Sequence, residues 1–326
     1  FIEDGWTLED GDLILSPYQQ TYSASMSKDQ KNLNVRLTNL GIDELPAKEC
    51  LITHIDLTQE AAEKSAFSFE IAKKITFGSS AEELEAAYGV PGYTYEGTSY
   101  DKWEYSTDTY NKVSLYLSND TKSIYQIEMS FVAVPQGYND EAEAAEVEVP
   151  AIVSDYTPSS ELGEDLLSFN AIIDDVIYSF PVSYQYMEEN GWALATKDSK
   201  KLAAKDSIGN ITLLYKGGYK TSARFYNLST KANLLENCFI STLTFEEGFP
   251  GKVELPGGIT LGMSQEDLIK ALDAFALEDD VLDVYESDSY TSYTVKRKVL
   301  EEISIYIDTK TNAVYKIEIS NRQLGK

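Results

Sequence analysis

The stretch ITFGSSAEEL at residues 75–84 recurs as ITLGMSQEDL at residues 259–268. In each stretch a serine, Ser80 or Ser264, is followed three positions later by an acidic residue and four positions later by a leucine. This is the spacing of a helix N-cap, in which the serine hydroxyl accepts from the third amide of the helix and the acidic side chain reaches back to the serine amide. The two stretches therefore predict two equivalent helices.

The match between the two copies extends well beyond these helix starts. Residues 35–40 match 223–228, and residues 50–53 match 238–241 at the same distance further on. Each copy closes with two runs that alternate apolar and polar residues, which is typical of antiparallel strands: 113–117 with 124–128, and 303–307 with 314–318. The sequence from Trp6 to Ser130 is thus repeated from Trp192 to Ser320, which indicates a tandem duplication.

This organisation predicts an α+β protein with two homologous domains, residues 1–134 and 165–326, each built from short helices packed on antiparallel β-sheet. Helices are expected at 182–190 and 264–275, each followed by several strand-like runs, which favours two helix-plus-sheet units per domain. The hairpin and helix that precede Trp192 have no counterpart before Trp6, so we expect the first domain to be N-terminally clipped relative to the second. Trp6 and Trp192 are expected to be core anchors.

The segment between the domains, residues 135–164, is rich in acidic residues and contains Pro150 and Pro158. No lysine or arginine occurs between Ser123 and Thr196. Uncompensated like charges and prolines predict an extended, solvated linker.

The charge of the chain limits its partners. Its 326 residues include 54 acidic and 27 basic ones, which gives a net charge of -27. Such a chain repels phosphate backbones and anionic lipid headgroups. We therefore expect no nucleic-acid partner, and contact with a membrane only through an N-terminal lipid anchor outside this sequence.

The usual parts of a catalytic or metal site are missing from the sequence. Only one histidine, His54, is present, and the two cysteines, Cys50 and Cys238, occupy equivalent positions as expected for small buried hydrophobes. The sequence has no P-loop, nucleophile elbow, zinc-binding helix motif or dinucleotide fingerprint. We expect no catalytic residues, no cofactor and no metal; the open alternative is a carbohydrate-active enzyme, which needs only two carboxylates.

Tyrosine is abundant, and five aromatic residues cluster within thirteen positions: Tyr93, Tyr95, Tyr100, Trp103 and Tyr105. The two-residue spacing of the first and last pairs would place each pair on one sheet face. One interpretation is an exposed aromatic face that binds a protein or a glycan. The alternative is that the cluster packs beneath the helix at 81–88, which would leave a structural spacer with no specific ligand.

The Gly-x-Ser-x-Glu-Glu/Asp-Leu pattern, the short helix, the Gly-x-Pro at Gly89 to Pro91 and the aromatic antiparallel sheet together resemble the repeats of the secreted beta-lactamase inhibitor protein family and of the SmpA/OmlA small envelope lipoproteins. The resemblance covers residues 75–130 and 259–320. It implies an extracellular or cell-surface bacterial protein whose sheet binds another protein without catalysis. The paired cysteines of the inhibitor repeats are absent, so a beta-lactamase target is not part of this expectation.

Overall fold

The computed structural model describes residues 1–21, 23–29, 31–65, 68–197, 199–216, 218–278 and 280–324. Its Cα positions form two compact units, Phe1–Ala142 and Glu143–Lys326. Short helices accompany antiparallel sheets in both units, so the predicted α+β class is confirmed.

The first unit consists mainly of one eight-stranded antiparallel sheet. The strands of the whole unit are β1 (Thr7–Leu8), β2 (Ile14–Leu15), β3 (Ala24–Lys28), β4 (Lys31–Thr38), β5 (Leu45–Pro46), β6 (Leu51–Thr58), β7 (Glu70–Ile71), β8 (Ile75–Thr76), β9 (Tyr93–Glu96), β10 (Tyr100–Ser106), β11 (Lys112–Ser118) and β12 (Ile124–Ser130). Its helices are α1 (Gln59–Lys64) and α2 (Ala81–Tyr88), with 3-10 turns at Ala47–Glu49 and Ala72–Lys74. The large sheet has the order β1-β3-β4-β6-β12-β11-β10-β9, while β2 pairs with β5 and β7 with β8.

Helix α2 begins and ends as its sequence predicts. The Ser80 hydroxyl accepts from the Glu83 amide at 3.3 Å, and the Glu83 carboxylate accepts from the Ser80 amide at 2.9 Å. Gly89 ends the helix with a φ of 80°, a conformation that side chains with a Cβ rarely adopt. Leu84 is fully buried against Leu115 on the sheet beneath.

The predicted extended linker is partly helical. It contains α3 (Asp140–Ala144) and α4 (Ala151–Ser154). Val153 is buried, and the Tyr156 ring lies 6.0 Å from Phe239 in the core of the second unit. The prediction of an extended chain is therefore wrong for these two short helices, where burial of Val153 favours a folded turn, while every other residue of 135–164 remains at least partly exposed.

The second unit has the same sheet, extended by further strands. Its strands are β13 (Asn170–Ile173), β14 (Val176–Ser179), β15 (Val182–Ser183), β16 (Trp192–Leu194), β17 (Ser207–Tyr215), β18 (Tyr219–Tyr226), β19 (Phe239–Glu246), β20 (Val253–Leu255), β21 (Ile259–Thr260), β22 (Leu282–Glu286), β23 (Tyr290–Lys298), β24 (Glu301–Asp308) and β25 (Ala313–Ser320). Its helices are α5 (Tyr184–Glu189) and α6 (Gln265–Ala274), with 3-10 turns at Leu166–Ser168, Leu235–Asn237 and Pro256–Gly258. The large sheet runs β16-β17-β18-β19-β25-β24-β23-β22, with β15 paired to β19, and a smaller sheet runs β14-β13-β20-β21.

The two large sheets have the same strand order and share two β-bulges, while the second sheet has two further register shifts, at Ile208/Ile211 and Lys296/Lys298, with no counterpart in the pairings described for the first. A β-bulge follows Arg36 in the first sheet and Arg224 in the second. A second bulge follows Tyr116 in the first sheet and Tyr306 in the second. Below, two residues are called equivalent when they occupy the same strand position relative to these pairings.

The covering of the sheet differs between the units. In the second unit, β13, β14 and α5 pack onto the sheet, and Trp192 is 1% exposed, as expected of a core anchor. In the first unit the equivalent Trp6 is only partly buried, and Cys50 is partly buried where Cys238 is fully buried. Trp6 packs against the core of the first unit but is less buried than Trp192, which is covered by a layer from residues 166–189.

Among the described residues, no helix is long and apolar enough to cross a membrane.

Candidate functional site: two tyrosine ladders

The strand register places the five aromatic residues of the predicted site on two opposite faces. Directly paired residues share a face, and neighbours along a strand alternate between faces. Tyr95 pairs with Lys102, which pairs with Tyr116, so these three share one face. Trp103 pairs with Leu115, beneath helix α2, and so lies on the other.

The structure therefore does not bring Tyr93, Tyr95, Tyr100, Trp103 and Tyr105 together on one surface. Trp103 and Tyr105 belong to the helix-covered face: the Tyr105 ring is 5.5 Å from that of Tyr88, and its hydroxyl donates to the Gly89 carbonyl at 2.9 Å. Tyr93, Tyr95 and Tyr100 lie on the opposite face, here called the tyrosine face, where Tyr93 is 54% and Tyr95 47% exposed. The correction follows from register, since β9 pairs with β10 so that its tyrosines lie beside Lys102 and Glu104.

On the tyrosine face of the first unit, four rings form a continuous row across the strands. Tyr95 lies 5.8 Å from Tyr100, Tyr100 lies 5.5 Å from Tyr116, and Tyr116 lies 6.5 Å from Tyr125, measured between ring centroids. The rings are tilted by 46° to 65° to one another, within the offset and edge-on arrangements that aromatic pairs favour. We call this row the first tyrosine ladder.

The second unit carries the same row at equivalent positions, the second tyrosine ladder. Tyr285 lies 5.9 Å from Tyr290, Tyr290 lies 5.6 Å from Tyr306, and Tyr306 lies 6.3 Å from Tyr315. Tyr285, at the end of the row, is 58% exposed. The centroid distances in the two ladders differ by no more than about 0.2 Å. The equivalent strand positions in the two sheets therefore give the same arrangement of rings.

Sequence reasoning missed half of the first ladder and all of the second. Tyr116, Tyr125, Tyr306 and Tyr315 lie in the closing strands, outside the aromatic cluster at residues 93–105. The signal that could have found them is present: in both copies a tyrosine occupies the same place in each of the two closing strands. Buried residues flank Tyr116 and Tyr306 on both sides and precede Tyr125 and Tyr315, so the local pattern by itself predicts strands and no surface row.

A glutamate lies beside the third tyrosine of each ladder, Tyr116 or Tyr306, on the same sheet face. The Tyr116 hydroxyl donates to the Glu128 carboxylate at 2.9 Å, and burial together with this bond raises the pKa of Tyr116 above its ordinary value. The equivalent Glu318 accepts from the Thr244 hydroxyl at 3.2 Å. Burial and the negative charge of Glu318 likewise raise the pKa of Tyr306. Both tyrosines therefore remain hydrogen-bond donors at neutral pH.

Beside the first ladder, charged groups neutralise one another. The Glu104 carboxylate forms ion pairs with Lys112 at 3.2 Å and Lys102 at 3.4 Å. It also accepts a hydrogen bond from the Ser114 hydroxyl at 3.2 Å. Burial pushes the pKa of Glu104 upward, but the hydrogen bond and charge of Lys112, helped by Ser114 and Lys102, outweigh it and hold the pKa below its usual value. A lysine also lies over the central ring of each ladder, Lys102 at 5.4 Å from Tyr116 and Lys316 at 4.6 Å from Tyr306.

The single histidine and the two cysteines all have shifted pKa values. Burial and the neighbouring Arg36 lower the pKa of His54, whose strand partners are Arg36 and Ser130. Burial raises the pKa of the Cys50 thiol to about 11 and that of Cys238 to about 12, so both stay protonated. In the described part of the chain, no three His, Cys, Asp or Glu side chains converge in a way that could hold a metal ion.

Comparison of the chain with protein-family models and with curated proteins found no match.

Proposed function

We propose that the protein is a non-catalytic, extracytoplasmic binding module built from two copies of one duplicated domain, and that it binds a protein or a glycan through its tyrosine ladders. The observation that carries this proposal is the repetition of the ladder on an accessible sheet face. A tyrosine needed only for strand formation has no reason to recur at four linked positions. Its apolar ring and polar hydroxyl suit it to contact surfaces that are neither wholly apolar nor charged.

Descent from one ancestral domain is supported by features that no folding rule requires to agree. The two sheets share their strand order and both bulges. Asn39 and Asn227 each donate to two backbone carbonyls at equivalent loop positions, Asn39 to Leu15 and Asp43 and Asn227 to Leu202 and Lys231. A shared bulge or buried asparagine is better explained by inheritance from one ancestral domain than by two independent origins.

Exposure favours a binding surface over a spacer. A spacer predicts that the tyrosines serve the core, yet Tyr93, Tyr95 and Tyr285 are all about half exposed at the sheet edge. Further along each ladder the rings are partly buried, and Tyr116 is fixed by its bond to Glu128. A row that is rigid inside and accessible at its end loses little conformational entropy when it binds.

The resemblance to the secreted beta-lactamase inhibitor and SmpA/OmlA repeats supports placing the protein outside the cytoplasm. The residues that carry it, the Ser80 and Ser264 caps, begin α2 and α6, and each of these helices packs on one half of a sheet whose opposite face bears a ladder. We propose on this basis a secreted or lipid-anchored protein of a bacterial surface.

The test is a binding screen with matched variants. The full chain is screened against a glycan array and an array of purified bacterial surface proteins, beside the double variant Tyr95→Ala/Tyr285→Ala. Removal of two hot-spot rings is expected to weaken binding by roughly 30-fold or more. The control is Tyr110→Ala, which removes an equally large ring that is 68% exposed and outside both ladders.

Binding that falls in the ladder variant and persists in the control supports the proposal. If every ligand found binds both variants as tightly as it binds the wild type, the ladders are not the binding surface. Circular dichroism of each variant establishes that the sheet is intact.

A further inference from the structure

The first unit contains a cavity of about 590 Å³, within the range of small-molecule sites. Its floor is apolar and is formed by Leu15, Ala24, Leu37 and Ala47. Its mouth carries the carboxylates of Glu9 and Asp10. The cavity lies on the half of the sheet formed by β3 and β4, away from the tyrosine ladder.

The second unit has larger side chains at the positions equivalent to Ala24 and Leu37, which line the cavity, although Val35 outside the lining is replaced by the smaller Ala223. Ala24 pairs with Val35, and the equivalent pair is Ile211 with Ala223. Leu37, directly after the bulge of β4, is replaced by Phe225 after the bulge of β18.

The same holds for the short turn before the next strand. Ala47 opens the 3-10 turn Ala47–Glu49, and Leu235 opens the equivalent turn Leu235–Asn237. Three positions therefore lose bulk in the first unit, and all three of the smaller side chains line the cavity.

An aromatic pair completes the filling in the second unit. The Tyr184 ring of α5 lies 5.8 Å from Phe225, and both rings are fully buried. The second unit thus shows what this half of the sheet accepts: branched aliphatic and aromatic groups packed onto the strand positions where Ala24 and Leu37 stand. In the first unit the smaller side chains of Ala24, Leu37 and Ala47 line the cavity at these strand and turn positions.

The carboxylates at the mouth give the site a charge preference. Neither Glu9 nor Asp10 forms an ion pair with any residue that the structure describes, whereas nearby Asp12 is paired with Lys48 at 2.6 Å. The remaining polar groups at the mouth are neutral, among them Gln19, Gln20 and Thr21. Two uncompensated negative charges above an apolar floor attract a cation and repel an anion.

We propose that this cavity binds a small aromatic amine, with the ring on the floor formed by Ala24 and Leu37 and the ammonium group at Glu9 and Asp10. The ring takes the place that the larger Phe225 side chain fills in the second unit, where the first unit has Leu37. The ammonium group supplies the charge that the mouth lacks. The site is independent of the tyrosine ladders and of the function proposed for them.

The experiment titrates the full chain with phenethylamine and, separately, with 3-phenylpropionate, which has a similar ring and chain but the opposite charge. Isothermal titration calorimetry is expected to show saturable binding of one phenethylamine per chain. Its dissociation constant should be at least about tenfold lower than that of 3-phenylpropionate. Absence of saturable phenethylamine binding, or equal affinity for both compounds, would overturn the proposal.

Two sets of variants locate the binding. The filling variant Ala24→Ile/Leu37→Phe installs the second unit's side chains and is expected to lose binding at least about tenfold. The mouth variant Glu9→Gln/Asp10→Asn, which changes only exposed side chains, is expected to remove the preference for the cation. Its control, Glu3→Gln/Glu96→Gln, makes the same charge change at exposed residues outside the cavity lining and should keep the preference. Unchanged binding in both the filling and the mouth variants contradicts the site.

Discussion

Tyr116 on β11 and Glu128 on β12 are diagonal neighbours across the strand pair, and the tyrosine hydroxyl donates to the carboxylate at 2.9 Å. A hydrogen bond to an ionised acceptor is stronger than one between neutral groups, especially where water is partly excluded. The bond holds the Tyr116 ring of the first ladder in place. The rings on either side, Tyr100 and Tyr125, pack against a side chain that is already immobile.

Replacing Tyr116 by phenylalanine tests this arrangement at alkaline pH. Burial and Glu128 raise the pKa of Tyr116 in the folded state above its usual value of 10.0. A raised folded pKa contributes stability that is complete below the unfolded pKa and is lost as pH rises above it. Wild type should therefore lose more stability than Tyr116→Phe as the pH is raised through 10.0, measured by urea unfolding. Equal losses in the two proteins would show that the bond does not form.

His54 is expected to make the first unit sensitive to mild acid. Burial and Arg36 lower its folded pKa below the usual 6.5, so the unfolded chain binds a proton more readily than the folded one. Stability is therefore lost as pH falls from 6.5 toward the folded pKa. His54→Thr, which introduces the residue of the equivalent position Thr242, should lose less stability over this interval. Parallel urea midpoints for the two proteins between neutral and mildly acidic pH would contradict the prediction.

The buried asparagines Asn39 and Asn227 are expected to be essential to their loops. Each is fully buried, donates to two backbone carbonyls and accepts from a backbone amide two residues on. Alanine at either position leaves these backbone groups unpaired and should cost on the order of 3 kcal/mol in the free energy of unfolding. The matched control is Asn34→Ala, an exposed asparagine on β4, which should change stability by less than about 0.5 kcal/mol.

The two helix caps should contribute similarly in the two units. Ser80→Ala and Ser264→Ala each remove a hydroxyl that accepts from the third amide of its helix, at 3.3 Å and 3.2 Å. The expected loss is about 1 kcal/mol for each, observed as a shift in the denaturation midpoint of the unit concerned. Ser99→Ala, at an exposed serine in the turn between β9 and β10, serves as the reference. If Ser80→Ala and Ser264→Ala shift the midpoint no more than Ser99→Ala, the caps do not stabilise their helices.

The parts of the fold that could be predicted are those governed by neighbours along the chain. A capping serine, its acidic partner and Leu84 all lie within one helical turn, so the start of α2 follows from spacing alone. The same is true of β11 and β12, whose alternation requires no knowledge of the rest of the sheet. Trp6 and Trp192 were both predicted to be core anchors because each copy retains a tryptophan, but the extent of their burial depends on packing by residues distant in sequence and differs between the two.

What the sequence determined by itself is the α+β composition, the two repeated sets of strands and helix starts, and the acidic character that disfavours nucleic acid. The tertiary structure alone decided which aromatic residues share a surface. Register settles this, because one strand shifted by a single residue moves every side chain to the opposite face. The pairing of β9 with β10 separated Tyr95 from Trp103, and the pairing of β11 with β12 joined Tyr116 and Tyr125 to a ladder that local spacing does not reveal.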